Sequence, residues 1–129
     1  MTRSARLVLL LVVVLATLVA ACGGSSTGSA VSQASPAEAV EMLDSRVVID
    51  VRSPEEFAAG HIAGAVNIDV DGDFASGIAQ LDKEGAYLLY CRSGRRSAIA
   101  AQEMAAAGFT DIVDAGGLEP LAAAGAPLE

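Results

Sequence analysis

Hydrophobic and polar positions divide the chain into one long apolar run and several short ones. Leu7 to Ala21 is apolar except for Thr17. Further along, Arg46 to Val51 (RVVIDV) is a short β-branched stretch of the kind a buried strand needs. Ala65 to Ile68, Ala86 to Tyr90 (AYLLY) and Asp111 to Val113 are predicted as three more strands. Helical patterns lie between them. Ser35-Pro36-Ala37-Glu38 combines an N-cap serine, a proline at the first helical position and a glutamate at the third, and Ala39, Val40, Met42 and Leu43 form the apolar face that follows. Ser53-Pro54-Glu55-Glu56 repeats the signal, and Gly60 suits the end of that helix. Further helices are predicted over Asp73 to Leu81, Arg95 to Ala107 (stopped by Gly108) and Leu118 to Ala124. Strands alternating with helices predict an α/β fold, a mostly parallel sheet with helices on both faces.

The long run has a different meaning. Arg3 and Arg6 precede it, and Val19-Ala20-Ala21-Cys22-Gly23 closes it. A positive start, a short apolar core and small residues before a cut describe a secretory signal over residues 1–21. A membrane-spanning helix wants about 20 apolar residues, so a retained anchor is the weaker reading. Val-Ala-Ala-Cys resembles the bacterial lipobox. That resemblance implies a cut before Cys22, a lipid on its sulfur and amino group, and a protein exported and held at the cell membrane, facing the periplasm or the exterior. Several acyl chains anchor stably where one is marginal.

Residues 22–34 are rich in Gly, Ser and Ala and read as a flexible tether, with one folded domain over residues 35–129. The formal net charge is -8. From residue 22 onward, 6 basic residues face 16 acidic ones, a balance of -10. Such a surface disfavours nucleic acid and electrostatic binding to anionic lipid. Three of those six cations are Arg92, Arg95 and Arg96, so positive potential is concentrated beside one thiol, Cys91. With Cys22 acylated, Cys91 has no disulfide partner in the chain.

Tyr90-Cys91-Arg92-Ser93-Gly94-Arg95-Arg96-Ser97 leaves a predicted strand and opens a predicted helix. Open parallel sheets bind ligands at that edge. Backbone amides in such a turn form an anion nest, which the helix dipole and the arginines reinforce. Gly94 permits a conformation closed to other residues. A thiolate or a bound oxyanion fits there. The plainer alternative is a small buried cysteine beside a solvated charge cluster.

Three blocks resemble the rhodanese-like sulfurtransferase family: VVIDVRSPEEFAAGHIAGAVNI (Val47 to Ile68), LLYCRSGRRS (Leu88 to Ser97) and GFTDIVDAGGLEPL (Gly108 to Leu121). The resemblance implies a three-layer rhodanese-like fold. It implies that Cys91 takes sulfur from a donor such as thiosulfate as a persulfide and passes it to cyanide or a thiol, without metal or organic cofactor. The amides of Arg92, Ser93, Gly94, Arg95 and Arg96 would hold the persulfide, and Arg92 and Arg96 would recruit the anionic donor. Asp50 and Arg52 are expected in support, with Asp50 bracing the loop and Arg52 pairing with Glu56. His61 is expected to be structural, since a preformed thiolate needs no base. The family's tryptophan after Gly116-Gly117 is absent, and Leu118 or Leu121 is expected to fill its volume. Protein thiols are candidate acceptors, and a monomer is expected.

Two other functions are weighed against this one. Cysteine phosphatases place five residues between the cysteine and a phosphate-clamping arginine. Here the arginine arrives one position early, at Arg96, so the cradle is shorter and suits a sulfur atom. A non-catalytic module that binds a partner or relays sulfur is the other alternative.

Overall fold

The structure is a computed structural model, and it describes residues 28–129. The expected signal segment, Cys22 and the first part of the expected tether lie outside those residues. Five strands and five helices follow in alternation: β1 (Val31–Gln33), α1 (Pro36–Met42), β2 (Val47–Asp50), α2 (Pro54–Ala59), β3 (Val66–Asn67), α3 (Phe74–Ala79), β4 (Ala86–Cys91), α4 (Arg95–Ala106), β5 (Asp111–Gly117) and α5 (Leu118–Ala123). The strands form one sheet in the order β1-β5-β4-β2-β3, and every strand pair is parallel. One isolated antiparallel bridge joins Ile62 to Leu128.

Both proline-led helices start as expected. Ser35 and Ser53 each accept from the third helical amide, and Glu38 and Glu56 reach back to the cap amide. The folded body begins earlier than the tether assignment of residues 22–34 allows. Val31–Gln33 pairs with Ile112–Asp114, and Ala34 N–H donates to the Asp114 carbonyl at 3.2 Å. A three-residue edge strand with one apolar side chain leaves almost no periodic signal. Its existence depends on β5 offering a free edge.

Strand β4 is the centre of the sheet and is buried over all but its first residue. Both faces are covered, which explains its continuous apolar sequence. Alternation along the strand then separates two cores. Leu89 and Cys91 face a cluster with Phe74 and Ile78 of α3 and Ala100, Ala101 and Met104 of α4. Leu88 and Tyr90 face the opposite cluster, with Ala39 of α1 and Leu121 of α5. Leu121 is fully buried there and Leu118 packs partly against the same cluster.

The active edge carries one irregularity. Leu89 pairs with Asp114, but Cys91 pairs with Gly117, so β5 has one extra residue across from β4. Bulges of this kind re-aim side chains at the end of a strand. Gly117 meets the loop after Cys91 so closely that a Cβ there would sit 2.5 Å from the Arg92 carbonyl oxygen.

Candidate active site

Cys91 is the last residue of β4 rather than the first of the loop, and its side chain is fully buried on the α4 side of the sheet. The chain then turns through Arg92 and Ser93 to Gly94, which caps α4 with φ 94°, in the left-handed region. That turn aims the Gly94 N–H at Cys91 Sγ, 2.9 Å away. The first-turn amides of α4 have no partner within their helix, so the loop is a concave donor surface above the sulfur. Ser97, also fully buried, places its Oγ 3.6 Å from Sγ. Its hydroxyl lies 2.7 Å from Asp114 Oδ1 and 3.1 Å from the Gly94 carbonyl.

The three arginines do different things. Arg92 and Arg95 are exposed and make no salt bridge among the described residues. Arg96 is instead clamped to Glu56 of α2 by two bonds of 2.7 and 2.9 Å. Recruitment of an anion by a fully available Arg96 is therefore revised, because much of its charge is already engaged. Two clefts flank the loop. One of about 380 Å³ is lined by Arg52, Glu56 and Arg92 together with Ala59, Leu118 and Leu128. The other, of about 350 Å³, is lined by Asp71, Ser93, Arg95, Arg96 and Ile99. The Arg96–Glu56 pair stands between them, one partner in each lining.

The Arg96 guanidinium holds the Glu56 carboxyl down at about 2, and the same bond pushes Arg96 above its usual value. A carboxyl depressed on folding contributes stability that is complete above its unfolded value of about 4.3. That contribution is lost as pH falls through the folded value. The Glu56 side chain is 28% exposed, so solvent screening reduces the contribution to about 1 kcal/mol. Urea unfolding should show that loss between about pH 5 and pH 2. Glu56→Gln should lack this component, and identical pH slopes in the two proteins would refute the assignment.

Asp50 and Arg52 come together, but not beneath the cysteine. Asp50 aligns with Tyr90, not Cys91, so its side chain lies on the opposite face of the sheet. Arg52 Nε lies 3.0 Å from both Asp50 oxygens and Nη2 lies 2.6 Å from Oδ2. The Tyr90 hydroxyl donates to the same carboxylate at 2.7 Å. Burial and that bond push the phenol up, so it remains a donor, and Asp50 raises Arg52 further above its usual value. Arg52 also donates to the Gly60 carbonyl at 2.7 Å. The expected Arg52–Glu56 pair does not form, because a buried carboxylate two residues back is the better partner and Glu56 turns to Arg96. Asp50 braces the β2–α2 connection, not the loop.

The acid that does brace the loop is Asp114, which sequence reasoning missed. It is 7% exposed, lies on the Cys91 face, and accepts from Ser97 and from Gly116 N–H at 3.1 Å. A lone acid inside the apolar run IVDAGG was the available signal. His61 is structural as expected. Its ring stacks on Phe57 at 3.7 Å, and its nitrogens reach the Phe57 carbonyl and Glu129. Among the described residues no cluster of His, Cys, Asp or Glu could hold a metal ion.

The chain is similar to known proteins in sequence and in fold. The family model described as a rhodanese-like domain matches residues 35–123. The chain is similar to thiosulfate sulfurtransferase PspE of Escherichia coli, 36% identical over 77 residues, covering 57% of this chain and 72% of that protein. It superposes on a rhodanese-related protein from Thermoplasma volcanium with TM-score 0.68 and 27% identity, over 75% of this chain and 96% of the other. A rhodanese with anions from E. coli aligns with TM-score 0.53 and 32% identity, over 65% of this chain and 96% of that one.

Proposed function

The chain belongs to the rhodanese-like domain family, and from that we propose that it is a sulfurtransferase with Cys91 as its nucleophile. As a thiolate, Cys91 Sγ attacks the outer sulfur of a donor such as thiosulfate. A new S–S bond forms, and the donor's own S–S bond breaks, its electron pair leaving with sulfite. A thiophilic acceptor, cyanide or a thiol, then attacks the outer persulfide sulfur, and the electron pair returns to Sγ. This is two-step covalent catalysis, carried by this chain's own residues.

The observation that carries the reading is Cys91 seated under a loop whose Gly94 amide already points at Sγ. A persulfide anion needs donors in that position. Exposed Arg92 and Arg95 give the loop its remaining positive potential for an anionic donor. Arg96, engaged by Glu56, is poorly placed to clamp phosphate, which argues against a phosphatase. The test is mass spectrometry after incubation with thiosulfate. Cys91 should gain the mass of one sulfur. A folded protein without that gain, or one that hydrolyses an aryl phosphate through Cys91, would overturn the reading.

We also propose that the domain is carried on a lipid anchor at Cys22. The support is the lipobox-like VAAC at the end of the apolar run. Cys22→Ser should leave the chain unprocessed or move it from the detergent phase to the aqueous phase. Unchanged partitioning would count against lipidation.

A further inference from the structure

We propose that Glu56 is a specificity-determining residue for sulfur transfer. By occupying Arg96 it keeps the Cys91 loop from holding oxyanions tightly, so that sulfite leaves after each transfer and inorganic oxyanions do not fill the site. The proposal rests on the sulfurtransferase reading of the preceding section. Unclamped, the loop would be a strong oxyanion site. Its concave side carries the free first-turn amides of α4, and Arg92, Arg95 and Arg96 would add three full charges beside them. Such a site would grip the departing sulfite as firmly as the donor. Binding shared by donor and product lowers KM without raising kcat, and a retained product limits turnover.

Glu56 withdraws one of those three charges. Its two oxygens meet Arg96 Nη1 at 2.7 Å and Nη2 at 2.9 Å, a bidentate pair that takes the end of the guanidinium fork. Those are donors that would otherwise hold two oxygens of a tetrahedral anion. The carboxylate is also fixed from its own helix, because Ser53 N–H donates to Oε2 at 3.1 Å. The Arg96 and Glu56 side chains are 25% and 28% exposed, so solvent screens the pair only in part. Arg96 lies within electrostatic reach of the sulfur. Glu56 is the main cause of its raised value, and the charges of Cys91 and Asp71 add to it. Asp71 lines the same cleft as Arg95 and Arg96 but makes no salt bridge among the described residues. Glu56 is therefore the acid that sets how much of the loop's charge an incoming anion meets. Arg92 and Arg95 remain for the donor.

Inorganic sulfate is the probe, because it fills an oxyanion site without reacting. Its dissociation constant is read from the amide NMR shifts of residues 92–97, in the full chain and in Glu56→Gln. Glutamine keeps the shape of the side chain and removes the charge that holds Arg96. The variant should bind sulfate about tenfold more tightly. During turnover with thiosulfate and a thiol, sulfite should inhibit the variant about tenfold more strongly, with KM for thiosulfate and kcat both falling. A merely structural role predicts the opposite sign, since a loosened loop binds anions less well. Two further variants locate the effect. Glu55→Gln removes a neighbouring exposed charge that makes no salt bridge, and it should leave sulfate affinity within about twofold. In an Arg96→Gln background, Glu56→Gln should add nothing. Equal or weaker sulfate binding by Glu56→Gln, no binding by either protein, or an equal gain from Glu55→Gln would overturn the proposal. Sulfate binding requires no sulfur donor. If thiosulfate adds no sulfur to Cys91 yet Glu56→Gln tightens sulfate, the sulfurtransferase reading fails while the clamp's control of oxyanion affinity stands. If sulfur is added and sulfate affinity is unchanged, the clamp alone fails.

Discussion

Cys91→Ser is expected to abolish sulfur uptake from thiosulfate, a fall of at least about a thousandfold, while leaving the fold in place. The loss is chemical. A serine hydroxyl at neutral pH is almost wholly protonated, and oxygen attacks sulfane sulfur far more weakly than a thiolate does. The fold should tolerate the exchange because Sγ already sits between a donor, Gly94 N–H, and an acceptor, Ser97 Oγ. A buried hydroxyl with both partners satisfied costs about 1 kcal/mol or less. The measurement pairs the initial rate of sulfite release with a thermal melt. A melt close to that of the unaltered chain with no sulfite is the expected result. Sulfite release near the normal rate would remove Cys91 from the mechanism.

Arg52→Ala should be the most destabilising of the substitutions considered, by about 3 to 5 kcal/mol. Asp50 is fully buried and Arg52 is 5% exposed. Removing the guanidinium strips the carboxylate of its charge partner and of bonds at 2.6 and 3.0 Å. Only the Tyr90 hydroxyl and the Arg52 backbone amide remain to it. The Gly60 carbonyl loses its donor as well. Because a domain's whole stability is about 5 to 15 kcal/mol, much of the chain could be unfolded at physiological temperature. The pair's net contribution is a separate quantity, since replacing both partners by apolar groups is often nearly neutral. The double substitution Asp50→Leu and Arg52→Met should therefore recover part of the loss. Urea midpoints decide the matter. A single-variant loss below about 1 kcal/mol would mean that solvent reaches Asp50 far more than its burial implies.

Cys91 and the order of elements were legible in the sequence because each depends on near neighbours. The capping serines at Ser35 and Ser53 bond three residues away, and both helices begin there. Strand β4 reads as continuous apolar residues because both its faces are covered. Strand β1 was not legible, because its three residues are held by a partner 81 positions along, Val31 opposite Ile112. Asp50 ends β2 close to the Cys91 loop, so position along the chain alone points to it as the loop's brace. Alternation places it with Tyr90 on the other face, and Asp114 takes that role.

By itself the sequence determined the α/β architecture and the loop around Cys91, and three motif blocks carried the likeness to the family. The architecture and the loop follow from local pattern: a period of two or of 3.6, a cap, a glycine where φ must be positive. Only the tertiary structure decided the partners of the charges. Arg96 meets Glu56 across 40 residues, Tyr90 meets Asp50 across 40, and Ser97 meets Asp114 across 17. Each of these polar groups must leave water to take its place, and which counter-group it finds there depends on sheet order and register. Spacing along the chain encodes neither.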